Sequence, residues 1–360
     1  MQTPWDYRYA QRTQRMKASA IRELLKVTEQ PDMISFGGGF PAPDVFPVEE
    51  FRRACNHVLD RMGPEALQYS GTDGHVPLRQ MISRHTVKLG INVDIDNILI
   101  TSGSQQALDL LGKIFINRGD RILVENPTYL GALQAWNAYG AEYIPVPTDE
   151  FGMRTDLLED ALRKGAKFIY VLPNFQNPTG TTLPVERRME LIQLADRYGV
   201  PIVEDDPYGQ LRYEGKDLPL VELLDSQSRV QNGSYTGNVI YLSTFSKILA
   251  PGIRLAWVIA PKEVIRTLGL AKQGADMHTS TFAQMVAHEV GQHGFIDRHV
   301  KVIQQVYQER RDAMLESLEE HMPDGVSWTH PEGGLFLWVT LPERFDATAI
   351  FPKIIEEKVA

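Results

Sequence analysis

The chain has 360 residues, 43% of them hydrophobic and 23% charged, which is the balance of a water-soluble globular protein rather than a fibrous or disordered one. A net charge of -9 and the lack of any Lys/Arg run argue against a nucleic-acid partner, and no apolar run is long enough to span a bilayer, so no membrane partner is expected. One cysteine, Cys55, rules out an internal disulfide and fits a reducing, cytoplasmic setting; the N-terminal MQTPWDYRYAQRTQRMK lacks the apolar core of a secretory signal.

The first forty or so residues predict one helix and the loop ISFGGGFPAPDVFP. RRACNHVLD predicts a helix in which Cys55 packs rather than reacts. Strand and helix then alternate. NILITSG is a strand, and SQQALDLLGKIFINRG a helix ending at Gly119. RILVENP, AEYIPVP, AKFIYVLP and PIVEDD are further strands. The segments between them, TYLGALQAWNAYG, RTDLLEDALRKG and PVERRMELIQLADRYG, have helical spacing. NVIYLSTFS and IRLAWVIAP complete seven strands. This alternation predicts an α/β protein with a mostly parallel sheet between helices, whose ligands sit at the C-terminal strand ends. From about Thr281 the chain becomes a long helical stretch broken near Gly294. Two short strands, GVSWTHP and GLFLWVTLP, and the helix DATAIFPKIIEEKVA follow. The expected division is a large domain of residues 46–280 and a smaller α+β domain of residues 1–45 and 281–360.

Three motifs fail on inspection. In HEVGQH, His288 and His293 stand five residues apart, on different helix faces, so no metal is expected there. GGGFPA has no strand-turn-helix around it. LGKIF lacks the glycine and hydroxyl of a phosphate loop.

Four polar clusters remain, all at strand ends. SGSQQAL puts Gly103, Ser104 and Gln105 at a helix start, a plain N-cap or a phosphate cradle. NPTG, with Asn177, is a turn by composition. EDDPY places three carboxylates at the end of a buried strand, which is costly unless they are paired or used. STFSKILAPGIRLAW carries Ser243, Thr244, Ser246, Lys247 and Arg254 between two apolar strands.

Together with ISFGGGFPAPDVFP, LQYSGTDGHVPLR, ENPTYLGAL and VEDDPYGQLRY, these stretches resemble, in order and over nearly the whole chain, the fold type I aminotransferases that use pyridoxal 5'-phosphate. The likeness is to the branch with 2-aminoadipate and kynurenine/aminoadipate aminotransferases. The resemblance implies that Lys247 forms the Schiff base and moves the proton at the substrate Cα, with a depressed pKa from cationic surroundings and partial burial. It implies that Thr244, Ser246, Arg254 and the N–H groups of Ser104 and Gln105 hold the phosphate, with Gly103 also among the cofactor-binding residues. Asp205 would pair with the pyridinium, Asn177 and Tyr208 would donate to the phenolic oxygen, and Tyr129 would stack on the ring. Glu204 and Asp206 are then flanking structural carboxylates. Tyr69 would reach the phosphate of a neighbouring subunit, which implies a homodimer with shared sites. For the substrate, Gly39, Asn177, Arg22 and, more weakly, Ser19 are candidates.

The implied reaction moves an amino group between an L-amino acid (2-aminoadipate, glutamate, aromatic or branched-chain) and a 2-oxo acid such as 2-oxoglutarate. The alternatives are β-elimination or decarboxylation on the same scaffold, or an aminotransferase-like sensor domain of a transcription regulator. One departure stands out. The arginine that in this family pairs with the α-carboxylate has no counterpart after Arg344, and the chain is expected to be a fragment about one strand short.

Overall fold

The computed structural model describes residues 4–18, 32–228, 235 and 237–360. Ser19 and Arg22 lie outside the described residues. The centre is an eight-stranded sheet: β1 (Ile98–Thr101), β2 (Arg121–Asn126), β3 (Glu142–Asp149), β4 (Gly152–Met153), β5 (Ile169–Val171), β6 (Ile202–Asp205), β7 (Val239–Thr244) and β8 (Ala256–Ile259). Their spatial order is β1-β8-β7-β6-β5-β2-β3-β4. The expectation of seven strands is corrected by one: β4 is a two-residue strand that folds back on β3 through the pairs Thr148 with Met153 and Asp149 with Gly152. It is too short to leave a periodic signal.

β5, β6 and β7 are buried along their whole length and run parallel. Continuous apolar runs such as IYV and VIYL are what a strand covered on both faces requires. Successive residues serve opposite faces. Ile169, Val171, Ile202 and Val239 join one hydrophobic cluster with Leu191 and Ile192 of the helix Val185–Tyr198. Tyr170, Val203 and Ile240 join the other, with Leu108 and Leu111 of the helix Ser104–Phe115. Each such side chain contributes about 1.5–3 kcal/mol by leaving water. β8 is antiparallel to both β7 and β1, with Thr244 opposite Ala256 and Thr101 opposite Ala256 on the other side. The connection from Phe245 to Leu255, which carries Lys247, therefore turns back at the C-terminal edge of the parallel strands.

The helix Ser104–Phe115 stops before the expected Gly119. Ile116 turns extended and is buried, and the Asp120 carboxylate accepts from the Asn117 N–H at 2.7 Å, which closes a separate turn. The two late strands shrink to Ser327–Trp328 and Val339–Thr340, paired antiparallel. Gly334 to Phe336 leave extended pairing because they pack on Phe175 and Gly39 instead. The helical stretch after Thr281 breaks as expected. One helix covers Thr281–Gly291, His293 takes a left-handed φ of 55°, and a second helix runs Phe295–His321. The first of these packs on the helix Val48–Ala66, where Cys55 is half-buried against the core. The second supplies Tyr307, whose hydroxyl accepts from the Ala42 N–H at 2.8 Å and ties the segment before the helix Val48–Ala66 to this helix. None of the described helices is long and apolar enough to cross a membrane.

Candidate active site

β6 ends in three buried carboxylates, and strand geometry gives them different tasks. Glu204 accepts from the N–H groups of Val221 and Glu222 at 3.0 and 2.8 Å, and so caps the helix Val221–Ser228. Burial, reinforced by Asp206, raises its pKa to about 7. Asp206 accepts from Asn174 at 2.9 Å and from Tyr241 at 3.1 Å, and burial raises its pKa too. Asp205 differs. One oxygen accepts from the Tyr170 hydroxyl at 2.7 Å, while Oδ1 is buried with no partner among the described residues. Burial raises this carboxyl to about 7, Tyr170 pulling it down and Asp206 pushing it up.

Lys247 lies half-buried after β7. Its Nζ donates to the Gly39 carbonyl at 2.9 Å and stands 5.7 Å from the centroid of the Tyr208 ring. Burial, then the nearby Arg254 charge, lowers the amine to about 8. Both causes expected from the resemblance are present, and burial is the larger. Thr244 is buried, and its hydroxyl interacts with the Leu255 carbonyl at 3.1 Å, the Ser246 N–H at 3.1 Å and the Ser246 hydroxyl at 3.0 Å. These bonds set the tight turn that aims the lysine. Ser243 adds a bond to the Asp206 carbonyl at 3.0 Å and locks β7 to the end of β6.

Arg254 adopts a left-handed backbone with φ 55°, strained for a residue with a side chain. Its guanidinium bonds the Pro251 carbonyl at 3.1 Å and lies directly against Gly103. Gly103 itself has φ 84°, and a Cβ there would overlap the guanidinium, so both the conformation and the space demand glycine. The helix Ser104–Phe115 starts at this point without a side-chain cap. Its first N–H groups, the buried and unpartnered Ser104 hydroxyl and Arg254 together form an anion-favouring corner. Gln105 reaches the Gly131 carbonyl at 2.8 Å and ties this corner to the segment of Tyr129. Asp276 holds the corner from behind, accepting from Ser102 at 2.9 Å, Gln106 at 2.7 Å and the fully buried Lys272 at 2.6 Å.

Tyr129 is raised above its ordinary pKa by burial and by Asp205. Tyr208 is buried and also raised, by burial first, with a side-chain bond to Asn177 acting against it. Phe336 meets Tyr208 edge-on at 5.5 Å and covers Gly39, whose φ is 58°. Tyr69 is not part of this assembly. It is 76% exposed, edge-on to His278. Sequence reasoning missed Tyr170 and Phe336. Tyr170 could have been found, because alternation in FIYVLP puts it on the Asp205 face. Phe336 is brought in by a remote segment and leaves no local signal.

Strand order, the reversed β8 and the lysine turn at the strand ends define an α/β enzyme of fold type I. The sequence pattern of the family described as aminotransferase class I and II matches residues 31–360. An aromatic-amino-acid aminotransferase from Thermococcus litoralis is 47% identical over 352 residues, 96% of this chain and 82% of that protein. The solved multiple substrate aminotransferase from Thermococcus profundus aligns with a TM-score of 0.92 at 45% identity, covering 99% of this chain and 88% of that one. An α-aminoadipate aminotransferase from Thermus thermophilus, solved with N-(5'-phosphopyridoxyl)-L-leucine, aligns with a TM-score of 0.91 at 39% identity over 99% and 88%. The chain belongs to the class I and II aminotransferases, and it is an enzyme that transfers amino groups.

Proposed function

We propose that this enzyme uses pyridoxal 5'-phosphate to move an amino group from an aromatic or acidic L-amino acid, 2-aminoadipate and glutamate included, to 2-oxoglutarate. The observation that carries the reading is the unpartnered Oδ1 of buried Asp205, in one site with a lysine lowered to about 8. A buried carboxylate with an idle oxygen is costly unless a ligand proton meets it. A protonated pyridine nitrogen meets that need, and the corner of Gly103, Ser104, Gln105 and Arg254 suits a phosphate. Thr244 and Ser246 extend that corner.

When bound, the group supplies an electron sink for the charge left at the amino acid Cα. The protein residues do the rest. Asp205 keeps the ring nitrogen protonated. Asn177 and Tyr208 would donate to the phenolic oxygen, and Tyr129 would contact the ring. Lys247, whose pKa of about 8 leaves a minor uncharged fraction near neutral pH, would take the Cα proton and return it, and its bond to the Gly39 carbonyl holds Nζ in place. Phe336 and Gly39 narrow the entrance and keep water from the reacting carbon.

Tyr69 belongs to this reading as a contact to the phosphate of a second copy. Its exposure supports a homodimer, and a monomer with full cofactor affinity would count against it. The division into residues 46–280 and a smaller unit of 1–45 and 281–360 is part of the same proposal, as is a cytoplasmic setting.

The deciding experiment is an absorbance spectrum of the protein loaded with pyridoxal 5'-phosphate, before and after adding L-phenylalanine, L-2-aminoadipate or L-glutamate. A visible band that needs Lys247 and is discharged by at least one donor is expected. A band of equal strength in Lys247→Ala refutes the lysine assignment. A band that no donor discharges refutes the proposed donors.

A further inference from the structure

Phe245 and Ile248 flank Lys247 and line a cavity of about 420 Å³ to which none of the candidate active-site residues contributes. That volume falls in the range of small-molecule sites. Its inner wall is apolar and buried: Ile82, Phe245, Ile248, Trp257 and Ile296. The rings of Phe245 and Trp257 lie 4.9 Å apart.

The polar part of the wall is rich in donors. Arg84, His85, Lys88, His288 and Gln292 line it, and Asp297 is the one carboxylate among them. Asp297 is already engaged, accepting from Lys88 at 2.5 Å and facing His85 at 4.0 Å. Arg84 has no ion pair among the described residues. Trp257, only 2% exposed, has a buried indole N–H without a partner among the described residues, and the buried Nε2 of His85 has none among them either. An indole nitrogen can only donate. An idle buried indole N–H is a standing cost that a ligand acceptor would remove. A metal ion does not suit the site, because among the described residues no three His, Cys, Asp or Glu side chains are placed to hold one.

We propose that this cavity is a second, non-catalytic binding site for a small amphipathic carboxylate. The apolar or aromatic part of the ligand lies against Phe245, Ile248 and Trp257. The carboxylate sits at the Arg84 and His85 side. A ligand there touches Phe245 and Ile248, two residues before and one after Lys247, so it is placed to act on the lysine turn from outside the active site.

Aromatic amino acids and oxo acids share this chemistry and also suit the candidate active site. The test therefore uses 4-fluorophenylacetate, which has no amino or oxo group to exchange, titrated into the loaded enzyme and followed by fluorine NMR. Saturable binding is expected. Arg84→Gln, a change at an exposed position, should weaken it by about fivefold, with recovery in Arg84→Lys. Arg254→Ala, which alters the active site, should leave it unchanged. Absence of saturable binding overturns the proposal. So does an affinity that Arg84→Gln leaves intact, or one that Arg254→Ala reduces, since the probe then occupies another site.

Discussion

Replacing Lys247 by methionine separates the electrostatics of the site from its catalysis. Burial and Arg254 hold the amine near 8 against an ordinary 10.5. Below about pH 8 the folded and unfolded chains both carry this proton, so folding bears the whole penalty of enclosing the charge. Between about pH 8 and 10.5 the unfolded chain binds more protons than the folded one, and stability rises with pH across that window. The gap corresponds to roughly 3 kcal/mol, and solvent screening of a half-buried amine reduces it to about 2. Methionine removes that penalty and also the bond to the Gly39 carbonyl, which is worth about 1 kcal/mol. The variant should then exceed the parent by about 1 kcal/mol near pH 7 and fall below it by a similar amount near pH 10. Urea denaturation of cofactor-free protein, followed by circular dichroism at both pH values, measures the difference. If the gap between variant and parent stays constant with pH, or moves the other way, the Lys247 ammonium is not destabilised and the reasoning fails.

Three further outcomes are expected. Tyr170→Phe removes the side-chain donor that Asp205 has among the described residues and should lower stability by about 2 kcal/mol above pH 7, where the carboxylate is ionised, and by less near pH 5. Equal losses at both pH values would contradict an Asp205 pKa of about 7. Gly103→Ala pushes a Cβ into the Arg254 guanidinium at a positive φ, and should reduce pyridoxal 5'-phosphate affinity at least about tenfold while costing about 1–3 kcal/mol of stability. Unchanged affinity by equilibrium dialysis would remove Gly103 from the phosphate corner. Gly39→Ala meets the Phe336 ring and should lower kcat/KM about tenfold, a loss of about 1.4 kcal/mol, with cofactor affinity preserved. A variant with parental kcat/KM would show that this loop does not bound the substrate space.

Much of the architecture was legible because it rests on local chemistry. Apolar runs such as IYV and VIYL mark strands covered on both faces, and the polar clusters after them fall at one sheet edge because the strands run parallel. What escaped has local causes of another kind. β4 is too short to show a period, and the helix expected to reach Gly119 ends where Asp120 closes a turn.

Local chemistry was enough for the strand-helix alternation, the placement of Ser104, Asp205 and Lys247 at strand ends, and the motif order that this family shares, because each depends on residues close together in the chain. The surroundings of those residues came from packing between distant segments. It left Asp205 Oδ1 without a partner while Glu204 and Asp206, its neighbours on either side, were bonded. It put Arg254 against Gly103, Lys247 against the Gly39 carbonyl, and Phe336 against Gly39 and Tyr208. Burial and pairing across long sequence separations set those outcomes, and they set the pKa values on which the chemistry turns, because desolvation is a property of the packed environment and not of the residue.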